Sequence, residues 1–369
     1  MKIYFFGSDY PPTNGGISTY TTNLLGAMSR ESGVEGRARI FGNKNPRTET
    51  LNNQLEIILV RSVNFFYVGW RILIDIITHH DYDVLYALNL FPIGFWVIFW
   101  SKIFHKKGII TFYGADACDT RTSKKVVWLQ KWAITHAYKA ITISIFTRDA
   151  VVKKYGIIGN NIEVVYPLLP QVKNEKIVPV ATRSDMGLAL DDFVVVSICR
   201  LVKRKGVEYL IDALSMSDDV KIKAIIVGDG DERAGFEDRV REAGLADRIK
   251  FVGKAPDLTP YYSIADCVTL LSYMRKEEGD FEGLGLVLLE AQSYGVPVIG
   301  TISGGIPEAF VNDKTGIAVS EREARAVLDA ILKLKDDVGL HQSMSMATTG
   351  FLITRFGKKN TIDNILKFL

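Results

Sequence analysis

A chain of 369 residues with 47% hydrophobic and 24% charged side chains has the balance of a folded globular protein, which excludes disorder and a collagen-like fibre. That length predicts two domains, each large enough for a core of its own, serving one active site. The net charge of +3 is unevenly placed, with 19 Lys/Arg against 12 Asp/Glu in residues 1–170 and 26 against 30 in 171–369; the basic front half fits either an anionic partner surface or scattered solvated lysines.

Short apolar runs rich in β-branched or aromatic residues recur at Lys2–Phe6, Asp83–Ala87, Gly108–Phe112, Ala140–Ser144, Phe193–Ile198, Ile222–Val227, Arg248–Val252, Cys267–Leu271 and Val296–Thr301, with helical patterns between them. Continuous apolar strands, rather than alternating ones, predict parallel sheets covered on both faces, hence an α/β protein of doubly wound halves. The opening MKIYFFGSDYPP reads as the first of these strands and not as a signal peptide, since its apolar run is short and no cleavage site follows. The most apolar stretch, Leu90–Trp100, is 11 residues long and holds Pro92, too short to span a bilayer. Cys118, Cys199 and Cys267 lie far apart with no CxxC or Cys/His spacing, so neither a disulfide framework nor a zinc site is expected, and a reducing, cytoplasmic compartment is. Pro167, Pro170 and Pro179 bracket a polar stretch and place the domain boundary within Tyr166–Pro179.

Ligands of such sheets bind beyond the carboxyl ends of the strands, and the motifs fall there. After the first strand, Gly15 and Gly16 precede an amphipathic helix and let backbone approach a ligand. A dinucleotide site would need an acid at the next strand end; GRARIFG (36–42) holds none, which counts against NAD. In VVVSICRLVKRKGVEYL, Arg200 and Lys205 flank one loop before a helix start, a setting for a multiply charged anion such as a diphosphate. The strand ending at Gly228 runs into Asp229-Gly-Asp231, read as a turn and not as a metal site. In GDFEGLGLVLLEAQSYGVPVIGT, Gly283 and Gly285 keep Glu282 on a loop, and the helix starts near Gly285 or Leu286, so its first amides stand free for phosphate. Glu290, amid LVLL, needs partners that sugar hydroxyls can supply. Gly304-Gly305-Ile306-Pro307-Glu308 reads as a further helix start.

The order GG loop, RLxxxKG, VGDG, EGLGLVLLEAQ, GVPVIG, GGIPE resembles the retaining glycosyltransferase family 4 with the GT-B fold over nearly the whole chain, and looks most like the branch of the phosphatidylinositol mannosyltransferases. The resemblance implies two Rossmann-like domains facing across a cleft: an acceptor-binding one at 1–170 plus 356–369, where the final helix crosses back, and a donor-binding one at 171–355. It implies that Arg200 and Lys205 hold the donor diphosphate, Glu290 the ribose hydroxyls, and Glu282 with the Leu284–Gly285 backbone the sugar hydroxyls, with Leu286 also among the donor-binding residues. Gly15 and Gly16 would approach the phosphate, and Gly228 with Val252 and Gly253 the base. No metal or other cofactor is expected beside the nucleotide-sugar co-substrate. Two substitutions depart from the family's pattern, Tyr113 for its usual histidine and Cys199 for a glycine, and VVYPLLP lacks its Pro-Asn-Gly hinge. Tyr113 and Asp116 are then the candidates for sugar or acceptor contact.

The activity so implied is hexose transfer from a UDP- or GDP-linked sugar to a hydroxyl of a glycan or lipid-linked acceptor. The alternatives on the same fold are a non-catalytic sugar-nucleotide binding protein and an epimerase. Residues 63–104 hold 12 of the 39 aromatics, followed by Lys102, His105, Lys106 and Lys107; the segment 93–104, apolar nearly all round, is either buried on the first sheet or docked on an anionic membrane. A peripheral place on the inner membrane face goes with the second case, and no nucleic-acid partner is expected.

Overall fold

The structure, a computed structural model, describes residues 1–369 except 12–14, 32–33, 44–45, 53, 63, 158–160 and 170–182, and leaves out the side chains of 115, 116, 358 and 359. Most of the expected linker lies outside the described residues. The chain forms two compact units: Met1–Pro170 with Glu277–Gly283 and Phe356–Leu369, and Gln171–Lys276 with Leu284–Arg355.

Eight strands make the sheet of the first unit: β1 (Lys2–Gly7), β2 (Glu35–Ile40), β3 (Thr48–Leu51), β4 (Leu55–Leu59), β5 (Val84–Ala87), β6 (Lys107–Phe112), β7 (Lys139–Thr142) and β8 (Ile162–Val164). They lie in the order β3-β4-β2-β1-β5-β6-β7-β8, and only the β3–β4 pair is antiparallel. Helices α1 (Gly16–Met28), α2 (Phe65–Thr78), α3 (Phe95–Ile103), α4 (Ala115–Cys118), α5 (Lys124–His136) and α6 (Ile145–Tyr155) connect them. Ile3 to Phe6 are wholly buried, as a strand covered on both faces requires. The expected strand Ala140–Ser144 stops at Thr142, because Ser144 caps α6 instead, its Oγ accepting from the Thr147 amide at 3.1 Å. The charged EGRARI also forms a strand, β2, which apolar patterning does not find. Its Arg39 is buried against Asp75 of α2, with Nη2 donating to Oδ1 at 2.7 Å and Nε to Oδ2.

In the second unit β9 (Phe193–Ile198), β10 (Ile222–Val227), β11 (Ile249–Gly253), β12 (Cys267–Leu270), β13 (Val298–Thr301) and β14 (Gly316–Val319) form an all-parallel sheet ordered β11-β10-β9-β12-β13-β14. Helices α7 (Val207–Ser215), α8 (Arg233–Glu242), α9 (Thr259–Ile264), α10 (Leu286–Ser293), α11 (Ala324–Asp336) and α12 (Val338–Phe356) accompany it. In α11, Val327, Leu328, Ile331 and Leu334 fall on one face at helical spacing and enter the core with Leu210, Ile211 and Ile299. Each such side chain contributes about 1.5–3 kcal/mol on burial. Lys335, in the last turn of the helix, pairs with Asp219 at 2.9 Å.

Phe356–Leu369 belong to the first unit. Phe356 packs edge-on to Tyr166 with ring centroids 5.2 Å apart. In α13 (Lys358–Phe368), Thr361 Oγ1 donates to the Tyr166 carbonyl at 2.8 Å, and Ile362 and Ile365 are fully buried. The segment 277–283 is a correction: it was expected in the second domain but belongs to the first unit. Thr120 donates through its amide to the Glu278 carbonyl at 2.9 Å and through Oγ1 to that of Glu277 at 2.6 Å, and the Phe281 ring meets Phe146 at 5.0 Å.

Each sheet reverses its strand order once, between β1 and β5 in the first unit and between β9 and β12 in the second. Those are the crevices where such sheets bind ligands.

Candidate functional site

The crevice of the second unit is built from four strand-end loops laced together by backbone. The Gly228 amide donates to the Gly253 carbonyl at 2.8 Å, and the Leu201 amide to the Asp229 carbonyl at 3.0 Å. A Cβ on Gly228 would lie 1.8 Å from the Cys199 carbonyl oxygen, so only glycine lets the β10 loop close on the β9 loop. The loop after β9 crosses to β12, where the Tyr273 amide donates to the Arg204 carbonyl at 3.0 Å. Arg200 is exposed at the lip of this crevice and its guanidinium has no partner among the described residues; Lys205, half-buried, closes the short turn that leads into α7.

On the other side of the reversal, Leu284 is buried and Gly285 takes φ +85°, so the chain turns abruptly into α10 at Leu286. No side chain caps this helix start, and no acid stands in its first turn. Its leading amides therefore supply both hydrogen-bond donors and the positive end of the helix dipole. Glu290, one turn further on, is half-buried, and its Oε2 accepts from the Tyr262 hydroxyl at 2.6 Å. Burial pushes the Glu290 carboxyl above its ordinary range, and the Tyr262 bond opposes that rise; burial beside Glu290 raises Tyr262 itself well above the usual phenol value. Tyr262 also stacks on Tyr294, with centroids 5.2 Å apart. Val252 and Gly253 end β11 beside Arg233, which is held by Glu237 at 2.8 Å. The expected helix start at Pro307 is instead a single 3-10 turn, Ile306–Glu308. The Asp229 carboxylate accepts from the Gly230 amide at 2.9 Å, as a turn residue does.

The crevice of the first unit has a different lining. Past the end of β1, the Ser8 amide donates to Asn89 Oδ1 at 2.8 Å, and Asp9 Oδ2 accepts from Ser8 Oγ at 2.8 Å and from Asn89 Nδ2 at 3.3 Å. Asn89 follows β5, so this network ties together the two loops at the point of reversal. Tyr113, only 8% exposed, donates its hydroxyl proton to the Leu88 carbonyl at 2.7 Å and packs edge-on to Tyr20 at 5.2 Å. Its phenol thus offers a ligand at most an acceptor lone pair. Gly15 and Gly16 are exposed at the uncapped start of α1, and the Gly15 carbonyl accepts from the Thr19 amide at 3.0 Å. Glu282 lies on a loop, as expected, but in the first unit, next to Gly283, whose Cβ would sit 2.1 Å from the Tyr113 carbonyl oxygen. The Asp116 side chain lies outside the described residues.

Arg200, Lys205, Gly228, Gly253, Leu284, Gly285, Leu286 and Glu290 thus share the second unit, and Gly15, Gly16, Tyr113 and Glu282 the first. Sequence reasoning missed Tyr262, which carries no motif signal, and the Ser8–Asp9–Asn89 network, which the crevice rule for doubly wound sheets could have found. Among the described residues, no group of three or more His, Cys, Asp or Glu is placed to hold a metal ion, and no helix is long and apolar enough to cross a membrane. None of the three cysteines is in a disulfide. Chemically, the second unit can hold an anion and, at Glu290, hydroxyls; the first presents hydroxyl-binding groups at its own crevice.

Residues 14–169 match the family described as Glycosyltransferase Family 4, and residues 181–350 the family described as Glycosyl transferases group 1. The GDP-mannose-dependent alpha-(1-6)-phosphatidylinositol monomannoside mannosyltransferase of Mycobacterium tuberculosis is 38% identical over 147 residues, covering 39% of this chain and 38% of that protein. The alignment thus spans about two fifths of that relative's own length. The lipopolysaccharide core biosynthesis glycosyltransferase LpsD of Rhizobium meliloti is 27% identical over 96% of this chain and 94% of its own. Among solved structures, Anabaena HepE in complex with UDP superposes with a TM-score of 0.81 at 20% identity, over 100% of both chains.

Proposed function

The chain belongs to the glycosyltransferases of GT-B fold, a Family 4 half followed by a group 1 half, and from that premise we propose that it moves a hexose, with retention, from a UDP- or GDP-linked sugar to a hydroxyl of a glycan or lipid-linked acceptor. The observation that carries this reading is the crevice of the second unit, where the exposed Arg200 guanidinium, Lys205 and the uncapped start of α10 gather donors around one point of strand reversal.

In this reading the diphosphate lies on Arg200, Lys205 and the Gly285–Leu286 amides, and Glu290 accepts from the ribose hydroxyls in the orientation set by Tyr262. Gly228, Val252 and Gly253 border the base, and Leu284 serves the sugar. The acceptor oxygen bonds to the anomeric carbon on the face from which the diphosphate leaves. The glycosidic C–O bond to phosphate breaks with its electron pair on the diphosphate, and a departing phosphate oxygen takes the acceptor proton. Stabilising that growing charge is the protein's main task, and the loss of one such donor costs about 10²–10³ in rate. Arg200 and Lys205 supply positive charge without a metal. Names among the relatives support a lipid or polysaccharide acceptor: the mycobacterial protein acts on a phosphatidylinositol monomannoside, and LpsD belongs to lipopolysaccharide core biosynthesis. A peripheral, cytoplasmic place on the inner membrane face goes with such an acceptor.

A second reading, a non-catalytic sugar-nucleotide binder, draws on Tyr113, whose one proton is spent on Leu88. Thermal unfolding with UDP, GDP, ADP and NAD separates the readings in part. At a hundredfold excess over Kd a ligand adds about 2.7 kcal/mol, a rise of several degrees for units of this size. A shift with UDP or GDP together with hydrolysis of the matching sugar nucleotide supports transfer. A shift without turnover supports the binder, and a shift with NAD alone, or none, removes both.

A further inference from the structure

The aromatic segment was expected to be either buried or membrane-docked, and the structure divides it. In α3, Val97 and Ile98 are fully buried, while Trp96 Nε1 donates to the Phe65 carbonyl at 2.9 Å and Trp100 Nε1 to that of Gly69 at 3.0 Å, both on α2. On its other flank, Phe95 and Phe99 meet Trp132 of α5 with centroids 5.6 and 6.4 Å apart. So α2, α3 and α5 form one continuous layer, and α3 is its middle. The exposure lies on the outer helices: Phe66 is 76% exposed, Trp70 63%, Ile77 57%, and Trp128 of α5 63%. Phe66, Trp70 and Ile77 recur at helical spacing, so α2 has a second apolar stripe opposite the one that packs inward.

The charges beside these rings have one sign. Lys102, Lys124, Lys125 and Lys131 are exposed, whereas the single carboxylate on the three helices, Asp75, is buried against Arg39. An apolar, tryptophan-bearing face fringed by lysines and free of exposed carboxylate on these helices complements a bilayer interface with anionic headgroups. Indole rings settle at headgroup depth there, and lysines reach the phosphates. Resting on the reading of a lipid-linked acceptor, we propose that the α2–α3–α5 face of the first unit is the surface by which the protein docks on anionic membranes.

The test is sedimentation of the full chain, without nucleotide, with vesicles of phosphatidylcholine alone or mixed with phosphatidylglycerol, at low and high salt. Binding to the mixed vesicles only, weakened by salt, is expected. It should fall by about tenfold or more in a Trp70→Glu/Trp128→Glu variant and in a Lys124→Glu/Lys125→Glu/Lys131→Glu variant. All five side chains are exposed, so folding is retained, and the nucleotide-induced thermal shift of each variant should equal that of the parent. Equal binding to neutral and mixed vesicles, no binding, or undiminished binding by the variants overturns the proposal. So does a single-stranded oligonucleotide that binds this face more tightly than the vesicles, or a dimer in sedimentation velocity that the variants abolish. Because the vesicle assay needs neither donor nor acceptor, a failed transferase reading leaves its outcome intact, and a failed docking face leaves the nucleotide shift intact.

Discussion

The two sheets reverse strand order in the same way, yet their crevices are lined oppositely. At the reversal of the second unit stand an exposed guanidinium with no partner among the described residues, a half-buried lysine and an uncapped helix start. At that of the first stand Ser8, Asp9 and Asn89, bonded among themselves, and a phenol turned inward. The first unit has a cation as well, Arg39, but it is buried and paired with Asp75. Topology therefore places a crevice, and the side chains at the strand ends decide whether it takes an anion or a hydroxyl.

The widest gap between the two cations is one of stability. Asp75→Ala should leave Arg39 buried and unpaired, costing about 3–5 kcal/mol in urea unfolding. Arg200→Ala should leave that unfolding curve unchanged and instead lower turnover by about 10²–10³. Near-normal turnover in Arg200→Ala would sink the diphosphate assignment.

A smaller effect is expected at Glu290. Without the Tyr262 hydroxyl its carboxyl rises further, because burial then acts unopposed. Nucleotide binding that requires the carboxylate is lost as pH falls through that value, so Tyr262→Phe should move the acid limb of binding to higher pH. At neutral pH it should weaken affinity by roughly tenfold, the worth of one hydrogen bond to a charged group. Stability runs in the opposite sense: a carboxyl raised on folding holds its proton longer in the folded state, so its contribution falls as pH rises between the ordinary carboxyl range and the raised value. Calorimetric titration across pH reads the first effect, and an unmoved limb contradicts it. The smallest effect belongs to Asp9→Asn, which should leave nucleoside-diphosphate affinity unchanged within about twofold, since Asp9 belongs to the hydroxyl-lined crevice. A tenfold loss there would erase the contrast between the crevices.

Much of the second unit was legible because its residues act through backbone. Gly285 and Gly228 announce themselves in any sequence, since a positive φ or a carbonyl 1.8 Å from an added Cβ admits nothing larger. Glu290 stood out as a carboxylate in an apolar run, but its partner Tyr262 lies 28 residues away and carries no pattern of its own. In the first unit, β2 hid behind Arg37 and Arg39, whose charges mask a strand until Asp75 folds against it.

The amino-acid sequence alone determined the α/β alternation and the glycine-gated strand ends of the second unit, because periodicity and the steric demands of glycine are local properties. Tertiary structure alone decided that 277–283, with Glu282, joins the first unit, that the Tyr113 proton goes to Leu88, and that exposure falls on Trp70 and Trp128 and not on Trp96 and Trp100. Each of those outcomes depends on which distant surface a side chain meets, and contacts between residues far apart in sequence leave no period or spacing in the chain.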